Sequence, residues 1–433
     1  MMNRIKNLPL QFQEISKTAS SLADSAGMKI YLVGGIVRDL ILKRSIFDLD
    51  IVIEGNAIEL ACRLSEKIKG QFRKHHAFGT AVVYFGEHKI DIATARTESY
   101  SHNGALPKVT PASLEDDLIR RDFTINAMAI SLNKDDYGCL IDLYGGFEDL
   151  KNKSIKILHS KSFLDDPTRI LRAIRFEQRF GFSIERDTFK LMKEALAVKA
   201  LKLVNPHRLR DEIILILKEH KPYLYLKRIN SLEGFNFIDK NIRLDKNSFR
   251  LVLRIEKAVW YYKNKYKNHR KLKVWIIYLA AVLLKLPLEK IKRILNNFAF
   301  KRGERIIITS IKSGLYPIKK LNKKLKMSAI YKMLNTYSFE SLLFFYAYYH
   351  DQRQLRENLD CFLDKLVHIR LELKGRDLKK MNFKPLNSYS KVLTELFYFK
   401  VDKGFQSKKD EIRALKRIFG KTAFFDDKII DKR

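Results

Sequence analysis

Two apolar runs separated by a pair of glycines place the strongest constraint on how this chain folds. The first run, residues 31–33, reads as a buried strand that Gly34 and Gly35 break, and residues 37–42 then have helical character. The second run, residues 47–53, carries Asp48 and Asp50 between apolar neighbours. Side chains two apart on a strand point to the same face. The sequence therefore predicts two carboxylates on one strand face, beside a glycine turn.

This combination suits phosphate chemistry. Bare amides at the start of a helix attract an anion, and the helix dipole adds to that attraction. Two carboxylates on one face repel each other unless a cation, usually a divalent metal ion, neutralises them. An ordinary turn and two exposed edge carboxylates would explain either feature alone. Both together, with Arg38 and Asp39 between them, indicate a site for a phosphate and a divalent metal ion.

Charge is unevenly distributed along the chain. Of 433 residues, 84 are Lys or Arg and 49 are Asp or Glu, which gives a net charge of +35. Residues 1–150 hold 18 basic and 20 acidic residues, whereas residues 151–433 hold 66 and 29. A near-neutral part that carries the carboxylates is thus followed by a strongly cationic part, which predicts a polyanionic partner. A lysine-rich composition due to AT-rich coding is the alternative explanation.

Three further segments carry charged groups at suggestive spacings. Residues 120–127 read Arg-Arg-Asp-Phe-Thr-Ile-Asn-Ala, in which Arg120 and Arg121 suit a triphosphate because a guanidinium binds two oxygens at once. Asn126 can bond a sugar hydroxyl or a phosphate. In residues 141–150 a Gly-Gly turn precedes Glu and Asp residues that suit a helix start, and we expect Gly146 and Asp149 to be structural.

The third segment, residues 163–176, predicts base recognition. Pro167 marks a helix start, and Asp166 and Arg169, three apart, are expected on one face of its first turn. A carboxylate only accepts hydrogen bonds and a guanidinium only donates them. Cytosine and adenine each offer an amino donor beside a ring-nitrogen acceptor and fit this pair, whereas uracil and guanine do not. A mismatch leaves buried groups unpaired, which costs roughly 1–3 kcal/mol per group.

These segments resemble the motifs of one enzyme family. Gly-Gly-x-Val-Arg-Asp with Asp-x-Asp resembles the class II tRNA nucleotidyltransferase and bacterial poly(A) polymerase branch of the DNA polymerase beta-like superfamily. Residues 120–127 match a second family motif at every position, and residues 141–150 resemble a third. Residues 163–176 are similar to its Glu-Asp-x-x-Arg motif, with Asp165 in place of the Glu. Residues 206–214 resemble its last motif, in which Arg208 and Glu212 are expected to pair on a helix and brace the neck.

The resemblance implies a fold, a cofactor and site residues. The expected fold is α+β: a polymerase beta-like head with a small mixed sheet over residues 1–150, an all-α neck over 151–220, and a basic all-helical body and tail over 221–433. It implies two Mg²⁺ ions held by Asp48 and Asp50. Asp91, on the second of two strands expected at 79–85 and 89–95, is the candidate third ligand or else a solvent-facing Asp. The nucleotide-binding residues are expected to be Gly34, Gly35, Arg38, Arg120, Arg121, Asp122, Asn126, Asp166, Arg169, Arg172 and Arg175.

The function implied is template-independent addition of the 3′-terminal CCA to tRNA from CTP and ATP. The alternatives within the family are an A-adding enzyme, a CC-adding enzyme and a poly(A) polymerase. A retained loop at residues 97–111 argues against CC-only addition. The alternative of another class is a non-catalytic RNA-binding protein, against which the intact carboxylate pair speaks.

The second half is read as helical, with basic clusters that include residues 263–271 and 319–324. Tyr261, Tyr262 and Tyr266 either stack on bases or belong to the core. The longest apolar run, residues 274–284, is too short for a bilayer and predicts a buried helix. Three distant cysteines and no secretory pattern near Met1 predict core thiols in a reducing cytoplasm.

Overall fold

The computed structural model describes residues 4–99, 108–266, 271–381, 383 and 388–420. The chain divides into two compact units, Met1–Arg243 and Leu244–Arg433, which are treated separately below.

The first unit is built on a seven-stranded sheet of order β3-β4-β5-β2-β1-β8-β9. The strands of this sheet are β1 Lys29–Val33, β2 Asp48–Glu54, β3 Gln71–His75, β4 Thr80–Phe85, β5 His88–Thr94, β8 Ala129–Ser131 and β9 Leu140–Ile141. One smaller pair consists of β6 Arg96–Ser99 and β7 Lys108–Pro111, and the other of β10 Ser154–Ile155 and β11 Ser183–Ile184. The pair β2–β5 is parallel, and the other neighbours in the large sheet are antiparallel. The sheet is therefore mixed, as expected.

Ten α-helices accompany these strands among the described residues of the first unit. They are α1 Leu10–Ser25, α2 Gly35–Ile41, α3 Ala57–Lys67, α4 Leu114–Ile119, α5 Gly146–Lys151, α6 Ser162–Asp165, α7 Thr168–Phe180, α8 Arg186–Ala197, α9 Pro206–Lys218 and α10 Pro222–Leu232. The apolar residues of the central strands β1 and β2 are buried, with Ile30, Leu32, Leu49 and Ile53 at 0% exposure. Strand β1 leads into the glycine turn, and β2 carries Asp48 and Asp50.

The second unit contains only helices among its described residues. They are α11 Lys246–Lys265, α12 Val274–Leu283, α13 Leu288–Asn297, α14 Arg302–Lys319, α15 Met327–Leu334, α16 Phe339–Tyr348, α17 Arg353–Asp364, α18 Gly375–Lys380, α19 Tyr389–Lys403 and α20 Lys408–Phe419. Residues 275–283 of α12 are all buried, as the apolar run predicts. None of the described helices combines the length and apolar character that a membrane crossing needs.

The α+β fold class is confirmed, with local corrections. The prediction of a loop over 97–111 is wrong at both ends, because β6 and β7 pair there as antiparallel strands; residues 100–107 lie outside the described part of the chain. The expected all-α neck over 151–220 contains two strands of two residues each, β10 and β11, which pair with each other. Strand β3 is additional; its exposed, basic residues gave no strand pattern.

Side-chain burial settles two open expectations. Tyr262 is 3% exposed and belongs to the core, while Tyr261 stacks on Tyr346 with ring centroids 5.9 Å apart. The expectation of core thiols is wrong: Cys62, Cys139 and Cys361 are half-buried free thiols. Part of the basic cluster 263–271, residues 267–270, lies outside the described residues.

Candidate nucleotide site

The carboxylate pair lies on one face of β2, as the strand period predicts. Leu49 and Ile51 point into the core with 0% and 1% exposure, whereas Asp48 is exposed and Asp50 half-buried on the opposite face. Asp50 is the register partner of Asp91 on the neighbouring parallel strand β5. Three carboxylates are therefore carried by adjacent positions of two strands.

These carboxylates accumulate negative charge around Asp50. Burial and the charges of Asp91 and Asp48 together raise the pKa of Asp50 to about 6, against the opposing charge of Arg121. Asp91 itself is paired with Lys89, with 2.5 Å between Nζ and Oδ2. A further cation beside Asp50 would thus stabilise the charged form of this carboxylate.

A divalent metal ion fits the oxygen donors of Asp48 and Asp50. Carboxylate oxygens are the ligands that Mg²⁺ prefers, and a cation bound beside Asp50 would stabilise its charged form, which burial and neighbouring carboxylates disfavour. Within the described residues, no group of three or more His, Cys, Asp or Glu side chains is already gathered as a metal site. The fit therefore rests on the two β2 carboxylates, since Asp91 is committed to Lys89.

The glycine turn brings the backbone close to an arginine. Gly34 has φ +74°, a conformation that L residues rarely adopt, and a Cβ there would lie 2.6 Å from Arg121 Nη1. The Gly34 N–H donates to the Met128 carbonyl at 3.3 Å. The expectation of a bare amide at this position is wrong, and the role of Gly34 is to admit the guanidinium of Arg121.

A cavity of about 550 Å³ opens in front of these elements. Its lining is dominated by eight arginines, with four acidic residues among them. The residues are Gly34, Gly35, Arg38, Asp50, Glu98, Arg120, Arg121, Asp122, Asn126, Asp166, Arg169, Arg172, Arg175, Phe176, Arg179 and Arg208. All eleven predicted nucleotide-binding residues, from three separate stretches of sequence, therefore face one space.

A continuous polar network supports one side of this cavity. Arg38 Nη1 donates to Asn126 Oδ1 at 2.6 Å, and Asn126 Nδ2 donates to Asp122 Oδ1 at 2.9 Å. Arg172 pairs with Asp122 at 2.6 Å and with Glu212 at 3.3 Å. Burial would raise the pKa of Asp122, but the charge of Arg172 and the hydrogen bond from Asn126 lower it to about 2. Asn126 and Asp122 therefore position Arg38 and Arg172.

Asp117 holds the two arginines of the second motif. Its carboxylate is 0% exposed and pairs with Arg120 at 2.5 Å and with Arg121 at 2.8 Å. Arg120 also donates to Glu98 of β6 at 2.7 Å. Asp117 and Glu98 were not predicted from the sequence as site residues. The (i, i+3) and (i, i+4) spacing of Asp117 from the two arginines was the signal that could have identified Asp117.

Asp166 and Arg169 both line the cavity but do not share a helix turn. Asp166 precedes α7 in extended conformation, and its Oδ1 accepts from the backbone and hydroxyl of Thr168. Its Oδ2 accepts from Arg208 Nη2 at 2.6 Å. The predicted common helical face is wrong because Pro167 is the cap and the helix begins only at Thr168.

Arg175 is a cavity arginine with unused hydrogen-bonding capacity. It is 6% exposed, and its Nε has no hydrogen-bond partner among the described residues. Burial lowers its pKa, and the charge of Glu212 offsets this only in part. Phe176 and Arg179 were missed by the sequence analysis, although Arg179 follows Arg175 at helical spacing.

The residues expected to be structural lie at the edges of the site. A Cβ on Gly146 would lie 2.2 Å from the Thr124 carbonyl oxygen, and Asp149 accepts from the Thr124 hydroxyl at 2.6 Å. The expected pairing of Arg208 with Glu212 is replaced by other partners: Arg208 pairs with Asp166, while Glu212 pairs with Arg172 and Arg175.

Two family models match the first unit. The model described as "Poly A polymerase head domain" matches residues 30–156, and the one described as "Probable RNA and SrmB- binding site of polymerase A" matches residues 181–238. The first match includes the carboxylates and the glycine turn.

Curated relatives and solved structures match most of the chain. The A-adding tRNA nucleotidyltransferase of Aquifex aeolicus is 38% identical over 82% of this chain and 43% of its own length. That of Halalkalibacterium halodurans is 32% identical over 88% of this chain and 86% of its own. A Thermotoga maritima CCA-adding enzyme solved with tRNA is 29% identical, with a TM-score of 0.72 over 96% of this chain and 98% of that one.

Coverage differs between the two kinds of curated relative. The first three A-adding enzymes match 82–96% of this chain, whereas enzymes named CCA-adding match 44–54%. The chain spans less than half the length of the first two relatives, 43% and 48%. With the match to the Halalkalibacterium enzyme over most of both chains, the protein belongs to the class II CCA-adding family of tRNA nucleotidyltransferases and poly(A) polymerases.

Proposed function

We propose that this chain is a template-independent tRNA nucleotidyltransferase that builds the 3′-terminal CCA from CTP and ATP and releases pyrophosphate. The observation that carries the proposal is the cavity in which Asp50 faces eight arginines. A carboxylate site for cations beside a cationic lining is what the transfer of a nucleotide from a triphosphate requires. A non-catalytic RNA-binding protein would have no use for a buried carboxylate with a raised pKa.

Asp48 and Asp50 would hold the metal, which we propose to be two Mg²⁺ ions, with Asp91 as a further candidate ligand. Bound divalent metal would activate the attacking hydroxyl and neutralise charge on the triphosphate and the leaving pyrophosphate. Asp91 takes this role only if Lys89 releases it.

The arginines of the cavity would bind and orient the triphosphate. A guanidinium binds phosphate oxygens through two parallel hydrogen bonds, and Arg175 offers a buried N–H that no described residue occupies. Gly34 and Gly35 let Arg121 and Arg38 approach, and Asp122 and Asn126 fix the arginines from behind. Binding of an anion would satisfy a cluster of positive charges that otherwise repel one another.

Asp166 would read the amino group of cytosine or adenine, with Arg169 as the donor to the ring nitrogen. Asp166 faces the cavity, and its orientation is fixed by Thr168 and Arg208. We predict that Asp166→Ala relaxes base choice and spares tRNA binding. Unchanged rejection of UTP by that variant would count against this role.

The tRNA partner is proposed from charge and family membership. Residues 151–433 carry 66 basic and 29 acidic residues, and lysine contacts to phosphates are independent of sequence, which suits an enzyme that accepts many tRNAs. The division into head, neck and body at residues 150 and 220 and the cytoplasmic location remain proposals on the same basis.

A second candidate is an A-adding enzyme that completes tRNAs already ending in CC. The observation that favours it is the longer sequence match to curated A-adding relatives than to curated relatives named CCA-adding. The Asp166 site does not distinguish the two, because cytosine and adenine present the same donor and acceptor pattern.

The test supplies purified protein with tRNA ending at the discriminator base, at C or at CC, and with CTP and ATP separately and together. Synthesis of CCA on all three substrates supports the main proposal. Extension of the CC-ended tRNA alone identifies an A-adding enzyme, and addition that stops at CC identifies a CC-adding one. Long A tails on any RNA identify a poly(A) polymerase, and no addition to any substrate refutes the enzyme.

A further inference from the structure

Lys89 on β5 lies beside the carboxylates of the candidate metal site. In the parallel pair β2–β5, Asp48 is the register partner of Lys89, and Asp50 is the register partner of Asp91. Residues two apart on a strand point to one face, and neighbouring strands lie about 4.8 Å apart. The four side chains therefore form one patch, in which three carboxylates share a face with one lysine.

Within this patch Lys89 is paired with Asp91. Lys89 Nζ lies 2.5 Å from Asp91 Oδ2, and the two side chains are 42% and 36% exposed. The positive charge of Lys89 also attracts Asp48 and Asp50. Lys89 thus supplies part of the positive charge that the three carboxylates require.

Arg121 also acts on Asp50, but it is fixed in place. Its Nη2 lies 2.8 Å from the carboxylate of Asp117, which is fully buried. Lys89, in contrast, has a flexible four-carbon stem and a partly exposed side chain. Exposed ion pairs stabilise a protein only weakly, so Lys89 can leave Asp91 for water at little cost.

The ion pair keeps Asp91 apart from a metal-binding arrangement. Asp48, Asp50 and Asp91 occupy adjacent positions, and yet no three His, Cys, Asp or Glu side chains are gathered as a metal site among the described residues. An ammonium group and a divalent cation seek the same carboxylate oxygens and repel each other. Asp91 can therefore join a metal site only after Lys89 has moved away.

We infer that Lys89 is an internal counter-ion that competes with divalent metal for Asp91: it holds Asp91 in the metal-free protein and releases it as a third ligand when metal binds at Asp48 and Asp50. The inference rests on the proposed function, because it concerns the metal site of that function. Lys89 is then a positioning residue, which sets the metal affinity of the site through Asp91.

Binding of Mn²⁺ to the full-length protein, without nucleotide or tRNA, measures this competition. Carboxylate sites accept Mn²⁺ as well as Mg²⁺, and the electron paramagnetic resonance signal of free Mn²⁺ gives the dissociation constant. Lys89→Met removes the charge and keeps most of the stem. We expect its dissociation constant to be about threefold or more below that of the wild type, because the ion no longer meets a competing positive charge.

The matched control is Lys74→Met, which removes one positive charge from an exposed position on the opposite face of the same sheet. We expect this variant to bind Mn²⁺ like the wild type, and Lys89→Arg, which keeps the charge, to bind it no more tightly. In an Asp91→Asn background we expect Lys89→Met to gain less affinity, because there is no third carboxylate to release.

The inference is overturned if Lys89→Met binds Mn²⁺ no more tightly than the wild type, if Lys74→Met gains as much, or if the gain is undiminished in the Asp91→Asn background. A wild type that binds no Mn²⁺ overturns it together with the proposed metal site. If Lys89→Met binds more tightly but the wild type transfers nothing to tRNA, the inference is supported and the proposed function is refuted.

Discussion

The surroundings of Asp50 in the folded protein disfavour the charged form of its side chain. Burial and the neighbouring carboxylates raise its pKa from 3.8 to about 6. The folded protein therefore binds more protons than the unfolded chain between these values. Without divalent metal, the free energy of unfolding should fall as the pH rises through that window.

We predict that Asp50→Asn raises the free energy of unfolding of the metal-free protein by about 1–3 kcal/mol near pH 7, because a shift of one pKa unit corresponds to about 1.4 kcal/mol. Urea denaturation in EDTA measures the effect, with Asp135→Asn, an exposed position, as the control. A variant that is less stable than the wild type at pH 7 would contradict the account of Asp50.

Asp122 behaves in the opposite way. Its pKa is lowered to about 2 in spite of burial, because Arg172 and Asn126 stabilise the charged form. The contribution of the charged Asp122 side chain to the free energy of unfolding is present above about pH 4 and is lost as the pH falls toward about 2. We predict that Asp122→Asn lowers the free energy of unfolding by about 2–4 kcal/mol near pH 7, because Arg172 then has only Glu212 as its charged partner. The difference in stability between the wild type and the variant should shrink near pH 3. Denaturation at both pH values tests this; a pH-independent difference would refute it.

At the level of individual residues, the sequence was informative where one motif carries the chemistry. The strand period placed Asp48 and Asp50 on one face, and the motif arginines proved to line one cavity. The partnership of Asp166 with Arg208 was not visible, because 42 residues separate them and (i, i+4) spacing pointed to Glu212 instead. Contacts between α7 and α9 depend on how the helices pack, which local spacing does not encode.

The geometry at the start of helix α5 depends on a single glycine. Asp142 accepts from the N–H groups of Gly146 and Phe147 at 2.8 and 2.9 Å, and the missing side chain of Gly146 lets the Thr124 carbonyl approach. A Cβ at 2.2 Å from a backbone oxygen forces the two segments apart.

We predict that Gly146→Ala lowers the free energy of unfolding by about 2 kcal/mol or more, as overpacking against backbone does. The matched control is Gly303→Ala on α14, where nothing lies within 4 Å of the added Cβ. Denaturation midpoints of both variants decide the matter. Equal stability of the two would show that the contact with Thr124 carries no cost.

Elements were predictable in proportion to their apolar pattern. The alternating or continuous apolar runs of β1, β2, β4 and β5 gave strands within one or two residues of the observed bounds. β3 was missed because Arg73, Lys74 and His75 make it an exposed edge strand without alternation. β6 and β7 were read as loop because each has four residues and their stability comes from pairing with each other.

At the level of the whole molecule, charge is distributed unevenly along the chain. Residues 1–150 are nearly neutral, and residues 151–433 carry the excess of positive charge. The composition gave this division, but it did not give the boundary at Arg243, which follows from packing.

We predict that tRNA affinity falls steeply with salt, with a log–log slope of about −4 or steeper if about five or more phosphates are neutralised. Filter binding between low and physiological salt measures the slope, and binding of CTP or ATP alone serves as the comparison, with a much smaller dependence. A slope near zero would exclude the basic surface as the tRNA-binding part.

We propose that the β2 carboxylates and the arginine cavity together transfer a nucleotide to the 3′ end of tRNA. The most direct test of this proposal is incorporation of labelled AMP into tRNA ending in CC, with Mg²⁺, by the wild type, Asp48→Ala, Asp50→Ala and the exposed control Asp135→Ala. The account predicts labelling by the wild type and the control and background levels in both β2 variants. Full labelling by Asp48→Ala or Asp50→Ala would contradict it.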